Sequence, residues 1–205
     1  VLLLLRHASI IDTLIPGVFV AAPNGMRLRY VLKRELLWGP CLDIAGHFLE
    51  NHFVDRSGVD SAKEIERVRA LGTGLGRDEG VVLYPEGTRF SPSRRQALLD
   101  KTATDPVAHA RVDGLEFLLP VRLGGALALL EAARGADLVV VAHTGLEGFA
   151  KVTDIWRGDL VGHVVKVKFT RIAAADVPAQ VEERREFLDA LWRDVDAWIR
   201  ANRAG

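Results

Sequence analysis

Short apolar runs alternate with segments of helical period along the whole chain. Val1-Leu2-Leu3-Leu4-Leu5 and Gly80-Val81-Val82-Leu83 are unbroken apolar runs of strand length, as expected of strands covered on both faces. Residues 28–32, 53–56 and 138–142 read as further strands, the second ending in Asp55-Arg56. Between them, Ser9 as an N-cap predicts a helix to about residue 20, with Asp12 three positions on as in a capping box. Ala21-Ala22-Pro23-Asn24-Gly25 reads as a loop, 41–49 as a short helix, and 60–76 as a helix with Ile65, Val68, Leu71 and Leu75 on one face. Residues 91–113 are polar, carry Pro92 and Pro106, and lack clear periodicity, so they read as a long loop with a short helix.

Leu118-Leu119-Pro120-Val121 begins a strand or turn and 123–134 a helix. From His163 to Ile172 the chain alternates, Val165, Val167 and Phe169 against Lys166, Lys168 and Thr170, as in a half-exposed strand at a sheet edge. The last segment, 180–203, aligns Phe187, Leu188, Leu191, Val195, Trp198 and Ile199 on one helical stripe. Such alternation predicts an α/β fold, a mixed β-sheet flanked by helices. No repeat, linker or change of composition divides residues 1–205, which read as one domain.

Composition narrows the function classes. Half of the 205 residues are apolar and 26% are charged, as in an ordinary globular domain. Acidic and basic residues balance at 27 each, so no global field argues for nucleic acid, and an anion site must come from local clustering. The single cysteine, Cys41, excludes an internal disulfide and a multi-cysteine metal site. No apolar run approaches the roughly 18–20 residues of a membrane-spanning helix. The chain begins with Val already inside a strand, so it is expected to lack a natural N-terminal segment.

Two polar motifs follow apolar strands, where α/β proteins place their chemistry. In His7-Ala8-Ser9-Ile10-Ile11-Asp12, His7 offers a base near neutral pH and Asp12 a carboxylate to orient it. Five residues apart on one helix they would be about 140° out of register. They meet if His7 lies in the loop before the helix and Asp12 in its first turn. The plainer alternative is that Asp12 only completes the cap.

In Tyr84-Pro85-Glu86-Gly87-Thr88-Arg89, Pro85 fixes the exit from the strand and Gly87 permits a positive φ. Arg89 offers a bidentate phosphate ligand, and Glu86 either accepts from a substrate hydroxyl or holds Arg89. Arg94 and Arg95 beyond it are candidates for an anion contact or a solvated basic patch. Together the motifs suggest transfer of an acyl group to a phosphate-bearing alcohol.

In this order the residues resemble the glycerolipid acyltransferase family, which includes lysophosphatidic acid and glycerol-3-phosphate acyltransferases. The resemblance rests on His7 with Asp12, Arg56 ending a later strand, the block Pro85 to Arg89, and Leu119-Pro120-Val121. It runs from residue 1 to about 125, and the remainder looks like the longer lysophospholipid acyltransferase branch. It implies a glycerol-3-phosphate acyltransferase-like fold. His7 would be the general base and Asp12 its orienting carboxylate. Arg56, Glu86, Gly87, Thr88 and Arg89 would bind the acceptor, a lysophospholipid or glycerol phosphate, and Pro120 would shape the donor site. The donor would be an acyl-CoA or acyl carrier protein thioester, with no metal, no further cofactor and no covalent enzyme intermediate. The expected workplace is the cytoplasmic face of a membrane. The chain departs from the family pattern at Arg6, commonly Asn, and at Phe90-Ser91-Pro92 after the block.

Competing chemistry is weaker. Cys41 has no demanded histidine partner, and His47-Phe48-Leu49-Glu50-Asn51-His52 misses both zinc-helix spacings by one residue. Gly-x-Ser-x-Gly and Gly-x4-Gly-Lys are absent, which disfavours a serine hydrolase or an NTPase. The rival from another class is a non-catalytic lipid- or partner-binding domain of the same fold. Loss of His7 or Asp12 would favour it, and both are present.

Overall fold

The computed structural model describes residues 1–9, 11–33, 52–54, 61–149 and 161–203. Its strands are β1 (Leu2–Leu5), β2 (Arg27–Lys33), β3 (His52–Val54), β4 (Glu79–Leu83), β5 (Leu138–Thr144) and β6 (Lys166–Ile172). They form one six-stranded sheet in the order β3-β2-β4-β1-β5-β6. Every pairing is parallel except β5 with β6. The expected mixed sheet flanked by helices is thus the observed architecture.

The apolar run of β1 sits at the centre, Leu3 beside Val82 of β4 and Val139 of β5, and all four strand residues are buried. Its alternation divides the core. Leu2 and Leu4 join Val81, Leu83, Leu138 and Val140 beneath helices α1 (Ser61–Leu71), α4 (Leu123–Ala132) and α5 (Val181–Asn202). Leu3 and Leu5 join Val82, Val141 and Ile15 on the opposite face. That face is covered by residues 11–24, whose turns run as a 3-10 helix (Ile11–Leu14), a π-helix (Gly17–Ala21) and a short α-turn (Ala22–Asn24). The predicted helix therefore exists but is irregularly wound. Pro16 brings no amide to the ladder and crowds the preceding turn, the usual cause of such a departure.

Residues 91–113 are not the expected long loop. They form two helices, α2 (Pro92–Thr102) and α3 (Pro106–Asp113). Ser91 accepts from Arg94 N at 3.2 Å, and Asp105 accepts from Val107 N at 3.1 Å and Ala108 N at 3.0 Å. Each proline occupies the first helical position, where its missing amide costs nothing, so both mark helix starts and not breaks. Periodicity is faint because the pair is mostly solvated, with Val112 its one fully buried residue.

Residues 118–121 form an irregular buried segment with no strand pairing. β6 is the sheet edge as expected, although Phe169 is 41% exposed. The predicted helix at 41–49, Cys41 and Arg56 lie outside the described residues.

Candidate active site

The site forms where β1 and β4 end side by side. His7 follows β1 directly, and the helical turn beginning at Ile11 brings Asp12 back under it. His7 Nδ1 lies 3.1 Å from Asp12 Oδ1. The same carboxylate accepts the amides of Ala8 and Ser9, each at 2.7 Å to Oδ2. Ser9 Oγ in turn accepts from Ile11 N at 2.8 Å. Capping and histidine orientation are therefore both performed by Asp12, Oδ2 taking the amides and Oδ1 lying nearest the ring nitrogen, with Oδ2 also 3.4 Å from it.

Asp12 is wholly buried. Burial alone would push its carboxyl up. Hydrogen bonds and charge from His143 and His7 outweigh that cost and hold the pKa at about 2. An ionised Asp12 accepts a hydrogen from Nδ1, which places the imidazole lone pair on Nε2. The ring is 14% exposed and tilts against Tyr84 at 4.6 Å between centroids. Among the described residues nothing occupies Nε2.

The turn after β4 wraps around the His7 backbone. Phe90 N donates to His7 O at 2.7 Å, and Gly87 N donates to Tyr84 O at 2.9 Å. Gly87 has φ +67, the left-handed region that its lack of a side chain permits. Glu86 is buried, and its two oxygens are engaged by backbone amides: His7 N at 2.9 Å and Leu119 N at 2.9 Å. Burial pushes its pKa up to about 8, against the pull of those amides and of Arg6. In this geometry Glu86 fastens the loop that carries His7 to the segment that carries Pro120.

A cavity of about 470 Å³ opens beside this turn, between α2, α3 and residues 119–122. Glu86, Thr88 and Pro120 border it, with Leu98, Val112 and Val121 among its apolar walls. Arg89 O accepts from Arg94 Nη1 at 2.8 Å, so the block and α2 are tied together. Arg95 is turned away, its guanidinium bound to Leu115 O at 2.5 Å and Asp113 O at 3.3 Å. The structure thus brings His7, Asp12, Glu86, Gly87, Thr88, Arg89 and Pro120 into one neighbourhood, while Arg56 lies outside the described residues.

Three residues of this region give little sign of themselves in the sequence. Arg6 is buried, its guanidinium donating to His143 O at 2.6 Å and Phe117 O at 3.4 Å and pairing with Glu147. It braces β1 against β5 from below the site. His143 is buried beside Asp12, with Nε2 at 3.6 Å from Oδ2 and 3.3 Å from Arg6 O. Its one signal is a polar residue closing the apolar run of β5. Arg122 borders the cavity and lies over Gly87, and its signal is a cation immediately after the Pro120-Val121 pair.

Residues 1–143 match the family model described as Acyltransferase. Among curated proteins, mouse 1-acyl-sn-glycerol-3-phosphate acyltransferase epsilon is 28% identical over 102 residues, which is 48% of this chain and 27% of that protein. The match with this chain thus spans about a quarter of that relative's length. No solved structure matches.

Proposed function

The chain belongs to the acyltransferase family, and on that footing we propose that it moves a fatty acyl group from a thioester to the hydroxyl of a lysophospholipid. The acceptor is of the 1-acylglycerol-3-phosphate type and the donor is acyl-CoA or an acyl carrier protein. The observation that carries this reading is the His7–Asp12 pair, 3.1 Å apart, with the His7 backbone bonded to Glu86 and Phe90 of the turn that holds Gly87. In the step proposed, Nε2 takes the acceptor's hydroxyl proton as that oxygen attacks the thioester carbonyl. Asp12 stabilises the imidazolium. The tetrahedral centre then collapses, breaking the C–S bond, and the departing thiolate receives the proton. An ester and a free thiol result.

Thr88, Arg89 and Arg56 are proposed to hold the acceptor's phosphate, with Gly87 keeping the turn open and Pro120 shaping the donor side. The similarity to the mouse enzyme supports a glycerol phosphate acceptor. A membrane surface as workplace is supported by the exposed Leu14, Val18 and Phe19 on the helical stretch that bears Asp12, and its cytoplasmic face is part of the proposal. Among the described residues no helix is long and apolar enough to cross a membrane.

The test is acyl transfer from labelled acyl-CoA to a panel of lysophospholipids by the full-length protein. His7→Ala is expected to lower the rate at least about 100-fold, the smaller end of what a positioned general base contributes. Asp12→Asn is expected to slow it as well, because an amide in that place no longer fixes the tautomer. Transfer at the unaltered rate in His7→Ala overturns the mechanism.

A further inference from the structure

The cavity beside the Gly87 turn has an uneven charge. Four cations border it, Arg94, Lys101, Arg111 and Arg122, against one acid, Glu86. Arg111 is neutralised by Asp189, Nη2 to Oδ1 at 2.7 Å. Glu86 turns both oxygens to backbone amides and away from these cations. Arg94 donates to a carbonyl and meets no carboxylate among the described residues. Arg122 and Lys101 make neither ion pair nor side-chain hydrogen bond among the described residues. Apart from Thr88 and Thr102 the remaining walls are apolar, so the cavity offers unpartnered positive charge over a largely greasy lining. It is suited to an anion that carries an alkyl chain.

Arg122 is the most closely fitted of these cations. Its amide donates to Pro85 O at 2.8 Å, which fixes its backbone against the turn. Its side chain then lies across Gly87. A Cβ at position 87 would come within 2.7 Å of Arg122 Cδ and 2.8 Å of Nε. The glycine therefore does two things: it adopts the positive φ and leaves room for a guanidinium on top of the turn. A guanidinium presents paired N–H donors in a planar fork that matches phosphate, and the exposed position leaves that fork available.

We infer that Arg122, seated on Gly87, is a phosphate-binding residue of the acceptor site, recognising a phosphomonoester borne by a single-chain lipid. This rests on the acyltransferase reading above and adds a ligand to it from a segment that the Pro85–Arg89 block does not contain. Arg122 thereby becomes a determinant of acceptor choice. An acceptor with the phosphate gains from it, and a neutral monoacylglycerol does not.

The experiment measures equilibrium binding of short-chain lysophosphatidate, and separately of CoA, to the full-length protein and to Arg122→Ala, Arg122→Lys and Gly87→Ala. Arg122→Ala is expected to weaken lysophosphatidate binding about 10- to 100-fold, the range for a lost charge-assisted hydrogen bond, and to leave CoA binding unchanged. Arg122→Lys should recover part of the loss. Gly87→Ala should reproduce it by pushing the guanidinium aside. In turnover, KM for lysophosphatidate should rise in Arg122→Ala more than in Arg122→Lys. Lysophosphatidate binding unaltered in both Arg122 variants overturns the assignment, and so does a loss confined to CoA. If the unaltered protein binds lysophosphatidate through Arg122 but transfers no acyl group, the catalytic reading fails and the phosphate site stands.

Discussion

At the scale of single residues, the least expected behaviour belongs to Glu86. Its place in the Pro85–Arg89 block suggests a group facing substrate, yet both of its oxygens accept backbone amides. It acts on His7 and Leu119 through their backbones, which makes it a positioning residue. In Glu86→Ala two buried amides lose their acceptor. Each unsatisfied amide costs about 1–3 kcal/mol, and removing a buried carboxyl returns part of this by abolishing its desolvation. The net expectation is a loss of about 2 kcal/mol, a fall in Tm of about 4–8 °C for a chain of this size. Acyl transfer should fall as well, because the loop holding His7 is released. Unfolding by heat and by urea reads the first effect, and an unchanged Tm would count against the bracing role. The other residue that surprises, Arg6, is a buried brace whose guanidinium reaches His143 O, Glu147 and Phe117 O.

At the scale of elements, α5 does more than cover the sheet. Its apolar stripe was legible: Leu188, Val195 and Ile199 are buried, with Phe187, Leu191 and Trp198 packed at the margin. No comparable signal in the sequence marks Asp189, Trp192 and Asp196, about one helical turn apart, as facing residues 111–119. Asp189 pairs with Arg111, Trp192 Nε1 donates to Leu119 O at 3.1 Å, and Asp196 Oδ1 accepts Phe117 N at 2.7 Å. Polar residues inside an apolar stripe look like solvent-facing ones until their partners are known, and those partners lie 73 to 79 positions away.

The same limit explains α2 and α3, whose caps were visible in Ser91-Pro92 and Asp105-Pro106 but whose weak periodicity concealed them. The central strands were legible because burial on both faces leaves no choice but unbroken apolar runs. Trp192→Ala removes a buried indole and its bond to Leu119. It is expected to cost about 3–5 kcal/mol by the usual penalty for emptying a large core site. Trp192→Phe keeps most of the packing without the donor, so its loss relative to the unaltered protein in urea unfolding reports mainly the hydrogen bond, and the difference between the two variants reports the packing. Equal stability of Trp192→Ala and the unaltered protein would contradict the packing described.

At the scale of the whole molecule, the family match ends at residue 143 while the sheet does not. β6 pairs along β5 from Leu138↔Ile172 to Thr144↔Lys166, and α5 closes the face over Leu138 and Val140. A chain cut after residue 144 would bare the β5 edge and strip Leu188, Trp192, Val195 and Ile199 from the core. Exposed edges of apolar strands pair with other chains. Such a fragment is expected to aggregate or to lose fixed tertiary structure, as near-UV circular dichroism and size-exclusion chromatography would report. A monodisperse, cooperatively unfolding 1–144 fragment would refute this.

The bond network around Glu86 has a mechanical consequence. Trp192 holds the Leu119 carbonyl, Glu86 holds the Leu119 amide, and the other oxygen of Glu86 holds the amide of His7. Leu119 and Pro120 are also part of the cavity wall. A ligand that presses this wall outward must stretch the Leu119–Glu86 bond or drag the carboxylate along, and the carboxylate is fastened to the base. Filling the cavity and aiming the imidazole are thus geared to one another through a single side chain. A guest of the wrong girth is expected to shift the His7 backbone without ever touching it.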